Sequence, residues 1–299
     1  MKSFDEVLKK AKTLDKKIVA VAKAENLEVL EAVEAARLQG ICDGILVGEK
    51  SVILQLMKEA GIKEEDYEIL DIKDSQQAAQ KAVSLVSSGK ADMLMKGLVD
   101  TGVLLREVLN KEYGLRNSPV LSHVAVFEVE SYHKLLIVTD AAMNIAPDVE
   151  QKIAIIENAL VVSRSLGISQ AKVALLAAKE SVNEKMPATV EAAQIAARTI
   201  AGAIIAGPFA LDNAVSKESA RIKGLDSPVA GDADILVAPD IEAGNILYKA
   251  LGFLTSSRGA GTIVGARRPI ILTSRADSED SKMNSIALAV LIAEEMKEI

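Results

Sequence analysis

Apolar and polar positions alternate along this chain in two rhythms. Short runs such as "KKIVAVAKA", "CDGILVG", "YEILDI" and "ADMLMKG" are apolar almost throughout, which predicts strands buried on both faces. Longer stretches with helical spacing lie between them. In "ENLEVLEAVEAARLQG", Leu27, Leu30, Val33 and Leu38 fall near one face and Gly40 marks the end. "EKSVILQLMKEAG", "DSQQAAQKAVSLVSSG" and "DTGVLLREVLNKEYG" read the same way. "PVLSHVAVFEV" and "KLLIVTDA" are two strands with little between them, an antiparallel element. The second half continues with helices at "DVEQKIAIIENALVVSRSLG", "PATVEAAQIAARTI", "LDNAVSKESARI" and "IEAGNILYKALGFLT". Its strands are "KVALLAA", "GAIIAGP", "DILVAP", "GTIVGA" and "PIILTS".

Such alternation predicts an α/β protein with parallel sheets wrapped on both faces by helices. About ten strands is many for one wound sheet, so two domains are expected. Asp140, Asn144 and Pro147 interrupt the pattern near the middle. The expected division is a first domain over 1–139 with a returning C-terminal helix over 277–299, and a second domain over 140–276.

Composition narrows the function. The chain has 299 residues, 49% of them hydrophobic and only 3% aromatic, so its core is aliphatic. The net charge of −7 argues against nucleic acid or an anionic membrane as partner. The single cysteine, Cys42, excludes an internal disulfide and a cysteine-rich metal site, and reads as a small core residue. No apolar run is long enough to cross a bilayer and no apolar leader opens the chain, so a cytoplasmic location is expected. GxGxxG after the first strand, GxxxxGK[ST], HExxH and CxxC are all missing. His123 at a strand end could serve as a base, but the structural role is commoner. "SSRGAGT" reads as a glycine-rich loop.

Ligands of wound parallel sheets bind beyond the carboxyl ends of the strands. The polar residues there include Lys96 with Thr101, Asp140 with Asn144, Asn213, Asp240 with Asn245, and Ser274-Arg275; Arg106 lies one turn into its helix. Helix capping accounts for most of these residue types. It does not account for Arg275, because a cation at a helix start is electrostatically wrong unless an anion sits there too. A planar guanidinium also suits phosphate. The residues therefore point to a phosphate-bearing ligand near Arg275, with Arg106 or Lys96 as a second cation.

Longer blocks carry a resemblance. "MKGLVDTGVLLREVLNKEYGLR", "VTDAAMNIAPD", "VNEKMPATVEA", "GPFALDNAVS", "GDADILVAPDIEAGNILYK" and "RRPIILTSRADS" resemble the successive blocks of the phosphate acetyltransferase/phosphate butyryltransferase family, from about Lys96 to Asn284. The resemblance implies two α/β domains of the isocitrate/isopropylmalate dehydrogenase type with the active site in the cleft between them. It implies transfer of an acyl group between coenzyme A and inorganic phosphate, without metal or redox cofactor. By position, Ser274 and Arg275 match the family's catalytic pair and Arg106 its second arginine. Acetyl-type members carry an aspartate seven residues after that serine; here position 281 is serine and Asp280 stands one short, so Asp280 or Asp277 is the candidate base. "KESVNEKMPAT" and "KGLVDTGVLLREVLNKE" look like the butyryl branch rather than the acetyl branch. Lys96, Thr101, Asp140, Asn144, Asn213, Asp240, Asn245 and Asp277 are the candidate substrate-binding residues. A homo-oligomer and an acyl-acid kinase as pathway neighbour complete the expectation. The competing enzyme reading is a metal- and NAD-dependent hydroxyacid dehydrogenase of the same architecture, with Asp212, Asp240 and Asp277 as ligands.

Overall fold

A computed structural model describes residues 1–272 and 278–297. The first elements are α1 (Phe4–Ala11), β1 (Lys17–Ala22), α2 (Leu27–Leu38), β2 (Cys42–Gly48), α3 (Lys50–Glu59), β3 (Glu68–Asp71), α4 (Ser75–Ser87), β4 (Met93–Lys96) and α5 (Thr101–Val108). The middle holds β5 (Ser122–Glu128), β6 (Leu136–Thr139), α6 (Val149–Ser165), β7 (Ala171–Leu176), α7 (Pro187–Ala196), β8 (Ala203–Phe209), α8 (Leu211–Val215), α9 (Lys217–Ile222), β9 (Ile235–Val237) and α10 (Ile241–Leu254). The chain closes with β10 (Arg258–Val264), β11 (Ile270–Ile271) and α11 (Glu279–Glu295). No helix among the described residues is long and apolar enough to cross a membrane.

The fold forms two compact units. An outer unit comprises Asp5–Asn117 and Ala260–Ile299, and a middle unit comprises Met1–Phe4 and Ser118–Gly259. In the outer unit the strand order is β3-β2-β1-β4-β11-β10, parallel except between β10 and β11. Val19, Ala20, Val21 and Ala22 of β1 are fully buried, as are Met93, Leu94 and Met95 of β4. Strands covered on both faces need no polar alternation, which is why the runs are continuously apolar. The helices begin where polar caps allow. Asn26 accepts from the Val29 N–H at 2.9 Å, Asp74 from Gln77 at 2.8 Å and Asp100 from Gly102 at 2.8 Å. α11 is buried on every side from Lys282 to Ala293, the mark of a core helix. It packs on α2, and its buried Lys282 pairs with Glu28 there at 2.7 Å.

In the middle unit the order is β5-β6-β9-β7-β8; β5 and β6 are antiparallel and the rest parallel. α6 starts from a capping box in which the Asp148 side chain accepts from Gln151 N–H and the Gln151 side chain accepts from Asp148 N–H. Ion pairs close the amino ends of these strands. Lys134 bonds Asp234 at 2.6 Å, Asp234 accepts from the Lys172 N–H at 2.8 Å, and Asp232 pairs with Lys172 and with His133. Burial opposes the charge on Asp232, but hydrogen bonds from Lys172 and Lys134 outweigh it and hold its carboxyl well below the usual range.

Three expectations differ from this fold. The division falls at 117/118 and 259/260 rather than at 139/140 and 276/277, because β6 pairs with β9 and takes β5 with it, while β11 pairs with β4. "SSRGAGT" is mostly strand: β10 starts at Arg258, and Gly259 lies where a Cβ would press at 3.3 Å on the Phe127 ring. The single helix expected over "LDNAVSKESARI" is two, α8 and α9. Ser216 between them is extended (φ −118, ψ 114), and its hydroxyl accepts from the Ser219 N–H at 3.2 Å.

One glycine is required by a close approach. A Cβ on Gly97, just past β4, would stand 2.1 Å from the Lys23 carbonyl oxygen, a backbone atom with no freedom to yield. Gly97→Ala is expected to destabilise the protein by about 2 kcal/mol or more. Gly252→Ala in α10, where nothing lies within 4 Å, is expected to stabilise it by up to about 1 kcal/mol. Denaturant titration of the two variants checks the pair.

Candidate functional site

In the outer unit the site residues come from the turn between β4 and α5. Lys96 ends β4, Gly97 and Leu98 turn the chain, Asp100 caps α5, and Thr101 is its first residue. The turn is pinned to the loop after β1: Gly97 N–H donates to Ala22 O at 2.9 Å and Leu98 N–H to Lys23 O at 2.6 Å. Lys96 Nζ reaches the Gly97 carbonyl at 3.4 Å. Arg106 is exposed and has no hydrogen-bond or ion-pair partner among the described residues. A guanidinium without a carboxylate partner is available to an anion.

Ser274, Arg275 and Asp277 lie outside the described residues. Asp280 stands in the first turn of α11, behind the cap Ser278, where the helix dipole favours its negative charge. Its Oδ2 accepts from the Asn284 side chain at 2.9 Å.

In the middle unit, Asp140, Asn144 and Asn245 are brought together at the carboxyl end of β6. Asp140, only 4% exposed, is the centre of a backbone knot. Its Oδ1 accepts from the N–H groups of His123 at 3.2 Å, Ala142 at 2.9 Å and Met143 at 3.1 Å. Its Oδ2 accepts from the Asn144 N–H at 3.1 Å and the Asn144 side-chain amide at 2.5 Å. Asn144 also donates to Leu121 O at 2.8 Å, and Asn245 donates to Ala141 O at 3.1 Å. A Cβ on Gly244 would meet the Asp140 carbonyl at 2.2 Å, so α10 also approaches this turn backbone to backbone. Both Asp140 oxygens are filled from within the protein. The residue holds the loop, which reassigns its expected ligand role to shaping the strand end. Asp240, on the adjacent strand end, caps α10 through the Ala243 N–H at 2.8 Å. Asn213 is apart from this group; it is fully buried in α8 and bonded to Glu180. Asp212 is exposed beside it. No group of three or more His, Cys, Asp or Glu among the described residues is placed to hold a metal ion. His123 is 5% exposed, with its ring edge-on to Tyr248 at 5.3 Å.

Two residues escaped the sequence reading. Lys23 has a left-handed backbone (φ 61), and its ammonium is tied to Glu25 and to Lys73 O at 2.8 Å. The missing glycine excluded a GxGxxG loop there, and a lysine gives no signal for a left-handed backbone. Asn284 was hidden inside an apolar helix pattern, where one amide carries little signal.

Asp140→Ala removes the acceptor of four backbone N–H groups, those of His123, Ala142, Met143 and Asn144. It is expected to cost about 3 kcal/mol or more in a denaturant titration, because a buried donor left unpaired carries its full desolvation penalty.

Comparison with known proteins places this geometry in a family. Residues 75–290 match the phosphate acetyl/butaryl transferase family. The phosphate butyryltransferase of Clostridium beijerinckii is 51% identical over 296 residues, covering 98% of each chain. The phosphate acetyltransferase of Thermotoga maritima is 43% identical over 294 residues, covering 97% of this chain and 99% of its own. The crystal structure of a branched-chain phosphotransacylase from Enterococcus faecalis superposes with a TM-score of 0.84 at 38% identity, covering 93% of this chain and 99% of its own. The fold alone is shared with 4-hydroxythreonine-4-phosphate dehydrogenase of Klebsiella pneumoniae, at a TM-score of 0.57 and 14% identity, covering 93% of this chain and 99% of its own. This agrees with the dehydrogenase-type architecture expected from the sequence, while the relatives just named are transferases and lend no support to the dehydrogenase activity. The chain belongs to the phosphate acetyl/butaryl transferase family and is a phosphate acyltransferase.

Proposed function

We propose that this enzyme interconverts butyryl-CoA, or a similar short or branched acyl-CoA, plus inorganic phosphate with the acyl phosphate plus coenzyme A. The observation that carries the acyl-chain reading is the 51% identity with a phosphate butyryltransferase over nearly the whole chain. The branched-chain relative from Enterococcus supports the same reading. Acetyl-CoA is the alternative substrate, supported by the phosphate acetyltransferase at 43% identity.

The proposed chemistry is direct transfer in a ternary complex, with coenzyme A and phosphate as substrates and no metal or redox cofactor. In the direction of acyl-CoA synthesis, the thiol loses its proton, because the thiolate is the nucleophile. Asp280 or Asp277 takes that proton. The thiolate attacks the carbonyl carbon, charge develops on the carbonyl oxygen, and the Arg275 guanidinium and Ser274 hydroxyl donate to it. The carbon–oxygen bond to phosphate then breaks, the proton taken from the thiol passes to the departing phosphate oxygen, and the resulting dianion leaves into the reach of Arg106 and Lys96. The exposure of Arg106 and its lack of a partner among the described residues support that role. Thr101, beside Lys96 in the outer unit, is the proposed further substrate contact. Acyl phosphate made here suits an acyl-acid kinase as the next enzyme. Self-association and a cytoplasmic location stay part of the proposal, the first read from the frequency of symmetric oligomers.

Release of free thiol from butyryl-CoA, followed with a thiol reagent, tests the reaction. Cys42 is fully buried and burial pushes its thiol up to about 12, so the native protein adds little background. Release that requires phosphate and runs faster with butyryl-CoA than with acetyl-CoA is expected. Release independent of phosphate overturns the reaction, and faster release from acetyl-CoA overturns the acyl-chain reading.

A further inference from the structure

α11 contains a polar residue that stability does not explain. From Lys282 to Ala293 every residue of the helix is buried. Asn284 lies in this stretch with 0% exposure. Its amide nitrogen donates to Asp280 Oδ2 at 2.9 Å, and its carbonyl oxygen has no hydrogen-bond partner. A buried amide with one unsatisfied oxygen weakens a core that Leu or Ala would strengthen. Its neighbour Ser285 is different: that hydroxyl donates to Ser281 O at 2.8 Å and accepts from the Gly261 N–H at 3.0 Å, so both of its roles are met inside the fold. Asn284 makes one side-chain bond, and that bond reaches outward to an exposed carboxylate.

The spacing makes the contact local and rigid. Residues four apart on a helix lie one above the other on the same face. Asn284 cannot move, because the core surrounds it. Asp280 is exposed in the first turn, and the Asn284 amide is one of the groups that hold its carboxylate. The amide therefore ties an exposed acid to a side chain locked in the core.

We infer that Asn284 is a positioning residue: it holds the Asp280 carboxylate in one orientation to receive the coenzyme A thiol proton. The inference rests on the reading of Asp280, rather than Asp277, as the base. The step is a single proton transfer. The sulfur–hydrogen bond breaks, the proton joins an Asp280 oxygen, the electron pair stays on sulfur, and Asn284 gains and loses nothing.

A double-mutant cycle in the full chain separates this from a structural role. Asp280→Asn is expected to lower kcat by about 100-fold or more, the usual range for loss of a general base. Asn284→Leu keeps the side chain's shape and removes the orphaned amide. It is expected to match or exceed the parent in thermal stability, to lower kcat by about tenfold or more, and to leave the KM for coenzyme A within about threefold. In the Asp280→Asn background, Asn284→Leu is expected to cost nothing further, because its effect passes through the carboxylate. Asn284→Ala serves as a second probe and is expected to follow the same pattern. Should Asp280→Asn lose activity while both Asn284 variants keep full kcat, the inference is wrong and the base reading stands. Equal losses from the Asn284 substitutions with and without Asp280 also overturn it. Full activity in Asp280→Asn removes the base reading and the inference with it.

Discussion

A backbone-to-backbone approach at Gly97 sets the geometry on which the proposed phosphate site depends. The Lys23 carbonyl accepts from the Leu98 N–H at 2.6 Å and stands where any side chain on Gly97 would have to be. That contact fixes how the chain leaves β4, and so where α5 begins and which way Arg106 is carried. The left-handed backbone of Lys23 belongs to the same arrangement, and its ammonium is anchored by Glu25 and the Lys73 carbonyl. Glu25 in turn accepts from the Glu49 N–H at 2.8 Å, so the loops after β1, β2 and β4 are coupled at one end of the sheet. A rigid turn fixes the backbone from which the Arg106 side chain extends.

The middle unit solves a similar problem with a carboxylate in place of a glycine. Asp140 collects four backbone N–H groups at the end of β6, and the close passage of Gly244 brings α10 against the same turn. The opposite ends of these strands are closed by Lys134, Lys172, Asp232 and Asp234, whose charges are matched within the protein. Matched charges at the amino ends make no demand for a ligand. Arg106, without a partner among the described residues, is the cation proposed to meet one.

Much of the fold was legible because period and burial agree. Val19 to Ala22 and Met93 to Met95 are apolar because both sheet faces are covered, and Asn26, Asp74 and Asp148 mark helix starts because their oxygens can take orphan N–H groups. The domain boundary was less legible. Asp140 and Pro147 interrupt the pattern, but strand pairing across long separations decides which unit a strand joins, and local pattern does not record pairing. Arg258 to Thr262 looked like a loop because glycines in a strand and glycines in a turn are spelled alike. The site was legible by type more than by role. Asp140 has the composition of a ligand and the bonding of a knot. Asn284 carried no periodic or charge signal, because its meaning lies in what it touches.

The central claim is that the Arg106 cation on α5, the helix after β4, meets phosphate. Its most direct measurement is the phosphate dependence of butyryl-CoA cleavage by Arg106→Ala, with Arg106→Lys beside it. The account predicts that kcat/KM for phosphate falls by roughly 100-fold in Arg106→Ala and less in Arg106→Lys, with the KM for butyryl-CoA little changed. An unchanged phosphate dependence in Arg106→Ala, in a protein that still folds and turns over, would contradict it.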